Sequence, residues 1–285
     1  MNAKEKIFEK LILISAVVSV AAVALITVFI FNSGLPAIRE TGAAEFITGT
    51  DWSPTNGQFG ILPLIAGTLA VTVLALLIGI PTGVGCAVFL AEITGEKTAR
   101  IFRSAIELLA GIPSVVYGFF GLVILVPVIR NIFGGSGFSI IAGGIILAVM
   151  ILPTIVSISA NSISSVPAEF TEASLSLGAD RRETIMKVIL PAAKSGIFSS
   201  VILGMGRAIG ETMAVLLITG NVAKMPEAVT DPVATLTGTI AMEMPYATPQ
   251  HQQALFGIGI ILFIIIVLLN GTAQLIMKRF GGAGS

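Results

Sequence analysis

The sequence predicts an all-α, polytopic membrane protein with six transmembrane helices. Three observations carry this. Hydrophobic residues make up 55% of the chain and charged residues only 11%, with mean hydropathy +0.99, against roughly 45–50% apolar and 25% charged in a soluble domain. Six apolar stretches reach the ~20 residues a helix needs to cross a bilayer. Lysine and arginine collect beside one set of helix ends.

The predicted spans are roughly 11–32, 61–91, 106–129, 139–160, 196–219 and 254–277, in a single transmembrane domain covering 1–285. The first is longer than the ~7–15 apolar residues of a secretory signal, and no clear small-x-small cleavage site follows it, so it reads as a retained helix. The second is long for one crossing and holds Pro81 among Gly79, Gly83 and Gly85, which calls for either a tilt or a kink. Both choices stay open, as does a division into two segments.

Beside the helix ends, Lys4, Lys6, Lys10, Lys97, Arg100, Arg103, Arg181, Arg182, Lys187, Lys194, Lys278 and Arg279 fall on one side, twelve of the sixteen cations. Arg39, Arg130 and Lys224 fall on the other, and Arg207 lies inside a span. The positive-inside rule therefore predicts cytoplasmic termini and a cytoplasmic loop at 161–195. Two outer segments, 33–60 with Trp52 and 220–253 with four prolines, read as turn-rich docking surface. Trp52 fits an interfacial aromatic belt equally well.

Formal net charge is zero, so no overall field draws nucleic acid or a charged surface. Cys86 stands alone, which excludes an internal disulfide and a cysteine metal cage. The only histidine, His251, has no spaced ligand set, and no serine or aspartate has a positioned base. No metal site and no catalytic residue is expected.

The stretch SVPAEFTEASLSLGADRRETIMKVILP is not a slack connection. Pro167 suits a first helical turn, and Gly178 suits the residue just past a helix end. Asp180 then caps a second helix with Glu183 as capping-box partner, and Pro191 marks that helix's limit. The predicted product is a stiff helix, a glycine corner and a second helix. Here the sequence resembles a known family: Glu172 and Ala173, Gly178, and then Ile189, Leu190 and Pro191 match the EAA loop of ABC importer permeases, with Ser174 where the pattern allows Ala. The resemblance implies the type I ABC importer permease fold. It also implies that Glu172, Ala173, Gly178, Leu190 and Pro191 couple to a separate ATPase. No glycine-rich loop ending in Gly-Lys-Ser or Gly-Lys-Thr occurs in the chain, so ATP and Mg belong on that partner and no cofactor is expected here.

Beyond the loop, the predicted fifth span carries Arg207 and Glu211 four residues apart, on one face of a continuous helix. An ion in lipid costs about 2.5–3.5 kcal/mol on insertion scales. Two readings stand: a self-neutralising pair turned into the bundle, or an arginine whose rigid fork of donors receives a tetrahedral oxyanion. Under the second, Glu211 either accepts from a protonated oxygen of the anion or restrains Arg207 so that release stays fast. Gly204, Gly206 and Gly210 fit close helix packing or backbone access. In the third span Pro113 frees a carbonyl, and Ser114 and Tyr117 supply hydroxyls. Glu107, with Arg100 or Arg103 near enough to neutralise it, reads as structural.

Further stretches narrow the resemblance to PstC-type permease subunits of phosphate ABC importers: WSP at 52–54 with FGILPLIAGTLAVT to 72, ELLAGIPSVVYGFFGL at 107–122, LGMGRAIGETMAV at 203–215, Gly220 and Asn221, and ALFGIGIILFIIIVLLN at 254–270. The resemblance implies inorganic phosphate as cargo and alternating access, with Arg207, Glu211, Thr212 and Ser114 along the pathway. It implies a sister permease PstA, a PstB ATPase dimer and an extracytoplasmic phosphate-binding protein PstS, in a bacterial or archaeal plasma membrane. Molybdate, tungstate and sulfate permeases share the coupling loop and remain alternatives, and a proton-coupled secondary transporter is the rival from another class.

Overall fold

The structure, a computed structural model, describes residues 3–281, with side chains from 8 to 275. The side chains of Lys4, Lys6, Lys278 and Arg279, four of the cations that fix the expected orientation, lie outside the described ones. In chain order the elements are α1 (Ala3–Thr41), α2 (Ala43–Thr48), β1 (Trp52–Ser53), β2 (Gln58–Phe59), α3 (Leu62–Val88), α4 (Glu96–Gly111), α5 (Ser114–Phe120), α6 (Val126–Phe133), α7 (Ile140–Ser164), α8 (Ala168–Ser176), α9 (Arg181–Thr184), α10 (Leu190–Ile209), α11 (Met213–Ile218), α12 (Leu236–Glu243) and α13 (Pro249–Gly281). Single π-helical turns at Phe89–Ile93, Gly121–Leu125 and Ile185–Ile189 prolong α3, join α5 to α6 and join α9 to α10. Among the described residues, six helices are long and apolar enough to cross a membrane: Phe8–Thr41, Leu62–Ile93, Ser114–Phe133, Ile140–Ser164, Arg181–Ile209 and Pro249–Leu275.

At the centre stands α7, whose residues Ile146, Leu147, Met150, Ile151 and Ile155 are buried against α3 and α10. Small residues let the backbones close up. Gly79 and Gly83 of α3 accept Ile151 and Ile155, a Cβ on either glycine falling 2.8 and 2.7 Å from those side chains. In return Gly143 and Gly144 of α7 accept Val71 and Leu74 of α3. A second core seals α1 to α13 around Phe46, Ile61, Leu236, Leu255 and Ile258. A third unites the far ends of α3 and α7 with the turn at 185–189 through Leu90, Val156, Ile163, Ile185 and Ile189.

Several boundaries differ from the sequence reading. The 61–91 stretch is one helix despite Pro81, finishing in the π turn at Phe89–Ile93. The 106–129 span is not continuous: Pro113, lacking an N–H, holds Ile112 extended at φ −71°, ψ 127°, so α4 stops and the crossing helix begins at Ser114. The charged α4, with Lys97, Arg100, Arg103 and Glu107, lies before the span. Arg100 pairs with Glu96 at 3.2 Å, not with Glu107. Pro191 does not end its helix. The π turn just before it, whose hydrogen bonds reach back five residues, absorbs the missing donor, and helix runs from Arg181 to Ile209.

The 220–253 segment is not simply an outer surface. Val233, Ala234, Thr235, Leu236, Thr237 and Thr239 are buried, because α11 and α12 turn back into the bundle. Gly220 pairs with Val233 in a parallel bridge. Asn221 takes φ 53°, a conformation asparagine tolerates better than most residues, and its Nδ2 donates to the Leu216 carbonyl at 2.7 Å.

Candidate substrate pathway and coupling elbow

Two broken helices meet inside the bundle. At the first break, between α4 and α5, the Leu109 carbonyl, which Pro113 has no N–H to reach, accepts from the Ile112 N–H at 3.2 Å and from the Tyr117 hydroxyl at 2.8 Å. At the second, α10 ends at Ile209 and α11 restarts at Met213, with Thr212 at φ −116°, ψ −60° between them. Gly118 in α5 lies flat on α11, where a Cβ would stand 2.9 Å from the Ala214 Cα. The two interruptions are therefore neighbours. Irregular backbone at membrane depth is tolerated where it is buried in protein or lines a cavity, and paired interruptions of this kind characterise transport sites.

The second break corrects the sequence reading of Arg207 and Glu211. They do not share a helix face, because helix stops two residues after Arg207. Glu211 instead turns forward, and its Oε1 accepts from the Ala214 N–H at 3.2 Å. Its carbonyl accepts from Thr237 Oγ1 at 2.7 Å. With Gly206 and Gly210 weakening the local helix, two contacts outside α10 outweigh the four-residue pairing. The self-neutralising ion pair is thus not formed. Arg207 is exposed in the last turn of α10, makes no ion pair with any described residue, and lies within electrostatic reach of Tyr117. Thr212 Oγ1 bonds the Gly210 carbonyl at 3.3 Å. Ser114 opens α5, half-buried, and neither hydroxyl is brought onto Arg207 by a hydrogen bond.

The residues that match the EAA pattern form an elbow. Pro167 precedes α8 as its N-cap and does not sit in the first turn. Gly178 takes φ +86° at the corner, and Asp180 and Glu183 form both halves of the capping box. Ser174, where the EAA pattern allows Ala, bonds Thr184 at 2.9 Å and stitches α8 to α9. Glu172, Ala173 and Gly178 are exposed, with Leu177 at 90% and Phe170 at 50% beside them. Leu190 and Pro191 lie in the first turn of α10, so the elbow is continuous with the helix carrying Arg207. The Arg181 guanidinium also donates to the Glu92 carbonyl at the end of the second span. Thr237, Ser174 and the Arg181–Glu92 contact were missed by the sequence reading, since each depends on a partner at least ten residues away.

A helical membrane bundle with two interrupted helices and an exposed stiff elbow fits a transport-system permease component. The chain belongs to the family of binding-protein-dependent transport system inner membrane components, whose model matches residues 79–282. It is 42% identical over 260 residues to a probable ABC transporter permease protein YqgH of Bacillus subtilis, covering 89% of this chain and 84% of that one. It is 33% identical over 300 residues to the phosphate transport system permease protein PstC of Xylella fastidiosa, covering 98% and 92%. In solved structures the fold is similar to that of a bacterial alginate ABC transporter in complex with a pentasaccharide-bound periplasmic protein, at TM-score 0.66, 15% identity and 98% coverage of both chains. The methionine transporter MetNI in an inward-facing form gives TM-score 0.61 and 20% identity, over 77% of this chain and 97% of that one.

Proposed function

We propose that this chain forms half of the translocation pathway for inorganic phosphate in an ATP-driven importer, with Arg207 as the anion contact and Glu211 beside it. The observation that carries the reading is an arginine left without a carboxylate partner where two helix interruptions meet. An unpaired guanidinium is costly in lipid and suited to an oxyanion. Phosphate is favoured over molybdate, tungstate or sulfate by the several PstC relatives that align over most of this chain. The chain carries no chemistry of its own. ATP and Mg act on a PstB-type ATPase dimer that receives α8 and Gly178 on the cytoplasmic side, where both termini lie in the plasma membrane topology. A PstA-type sister permease completes the pathway, and a PstS-type binding protein delivers the anion from outside. The test is uptake of labelled phosphate by the reconstituted complex. Arg207→Ala is expected to lower uptake at least a hundredfold, about 3 kcal/mol, while co-purification with the ATPase is retained. Normal uptake in this variant removes the assignment. Uptake by the chain alone under a pH gradient replaces it with a proton-coupled carrier.

A further inference from the structure

Glu243, the last residue of α12, is held from two directions. The Trp52 indole Nε1 lies 3.2 and 3.0 Å from its two carboxylate oxygens, and His251 Nε2, in the first turn of α13, lies 2.8 Å from Oε2. The Trp52 ring meets His251 and Phe59 edge-on, each at 5.9 Å. The His251 and Glu243 side chains are only 15% and 24% exposed, so the carboxylate has exchanged most of its water for fixed partners. This clamp joins the hairpin β1–β2, the end of α12 and the start of α13, at the end of the bundle where α1 finishes and α13 begins.

The other end of α12 is fixed equally well. The Leu236 N–H donates to Thr68 Oγ1 at 2.9 Å, and Thr237 Oγ1 donates to the Glu211 carbonyl at 2.7 Å. From Thr237 to Glu243 the helix is unbroken, a rise of about 9 Å at 1.5 Å per residue. One short rigid rod thus touches the Gly210–Thr212 break at one end and the Trp52–Glu243–His251 clamp at the other.

We infer that Trp52, Glu243 and His251 are positioning residues: through α12 the clamp sets where the Glu211 backbone stands, and so how the break presents Arg207 and Glu211 to the anion. This rests on the pathway reading of those two residues. None of the three clamp side chains needs to touch the substrate. A displacement of the hairpin at the bundle end would travel down the rod to the break, because a helix of this length resists stretching and bending.

The experiment uses the complete complex in proteoliposomes. Glu243→Gln keeps a carbonyl oxygen for the Trp52 N–H and gains an amide N–H for the His251 ring nitrogen, whereas Glu243→Ala leaves both partners without one. Glu243→Ala is expected to lower the maximal phosphate uptake rate at least about fivefold with the half-saturating concentration unchanged, and Glu243→Gln to stay within about twofold of wild type. Thr237→Val severs the opposite end and is expected to give the same loss. The double variant should then be no slower than the slower single one, because both cut the same rod. A wild-type rate in Glu243→Ala, or losses that multiply in the double variant, overturns the proposal. If Glu243→Ala does not assemble, Trp52→Phe, which removes only one N–H donor and a ring edge, decides by the same uptake criterion. Trp52 is the single tryptophan of the chain, so its emission reports on the clamp in the purified full chain without transport. A shifted emission maximum is expected in Glu243→Ala and not in Thr237→Val; no shift in Glu243→Ala overturns the clamp. Normal uptake in Arg207→Ala would remove the pathway reading and leave the emission result standing, so the two failures are distinguishable.

Discussion

An added methyl group at Gly67 would run into the carbonyl oxygen of Ala234, and no rotamer change relieves a clash with backbone. Gly67 is thus what lets the buried segment leading into α12 lie flat against α3. Gly85, eighteen residues along the same helix, has nothing within 4 Å of an added Cβ. The two positions make a controlled pair. Gly67→Ala is expected to destabilise the folded chain by about 1–3 kcal/mol, seen as a lower thermal midpoint in detergent. Gly85→Ala is expected to stabilise the chain by less than about 1 kcal/mol, through helix propensity, and so to raise the midpoint slightly. Equal midpoints would show that the Gly67 contact is loose. The same lesson applies to Glu211. Its identity and its neighbour Arg207 are legible in sequence, but its direction is not, because it depends on Thr237 arriving from a segment that looked like outer loop.

Among the elements, the elbow was the most readable, since its caps and corner are local and only the Arg181–Glu92 contact reaches far along the chain. Asp180 caps three residues ahead, Glu183 returns the bond, and Gly178 supplies the left-handed corner. Replacing Gly178 by Val forces a branched residue to φ +86°, at a cost of about 1–2 kcal/mol. The expected result is loss of phosphate-stimulated ATP turnover in the complex with phosphate binding to the extracytoplasmic protein unchanged; undiminished turnover would count against a stiff lever. The two breaks were only half readable. Pro113 announces the first, and the sequence reading named its consequence for the carbonyls while keeping the helix whole. Nothing comparable marks the second, since Gly210 and Thr212 are tolerable in a helix and the decisive contacts come from α5 and α12. Pro191 erred in the other direction: a π turn, which has no sequence signature in one chain, let the helix pass through it.

At the scale of the molecule, the six crossings follow from apolar length alone, which is why they were legible in outline from composition and window. The proposed orientation rests on the cation asymmetry and is open to a direct check. In a Cys86→Ala background, Asn56→Cys in the hairpin region should react with a membrane-impermeant maleimide added outside intact cells, and Leu177→Cys at the elbow only after permeabilisation. The reverse pattern would invert the proposed topology and, with it, the proposed placing of the ATPase. Invisible to any window was the way α3 and α7 interlock, with Ile151 and Ile155 seated on Gly79 and Gly83, and Val71 and Leu74 on Gly143 and Gly144. Knobs seated from both sides leave no room for one helix to slip along the other. Whatever rearranges during a turnover, these two helices must travel together, so a pair of spin labels placed on them would keep one separation in every nucleotide state. That constant distance supplies a ruler internal to the molecule, against which the excursions of the elbow and the broken segments can be gauged.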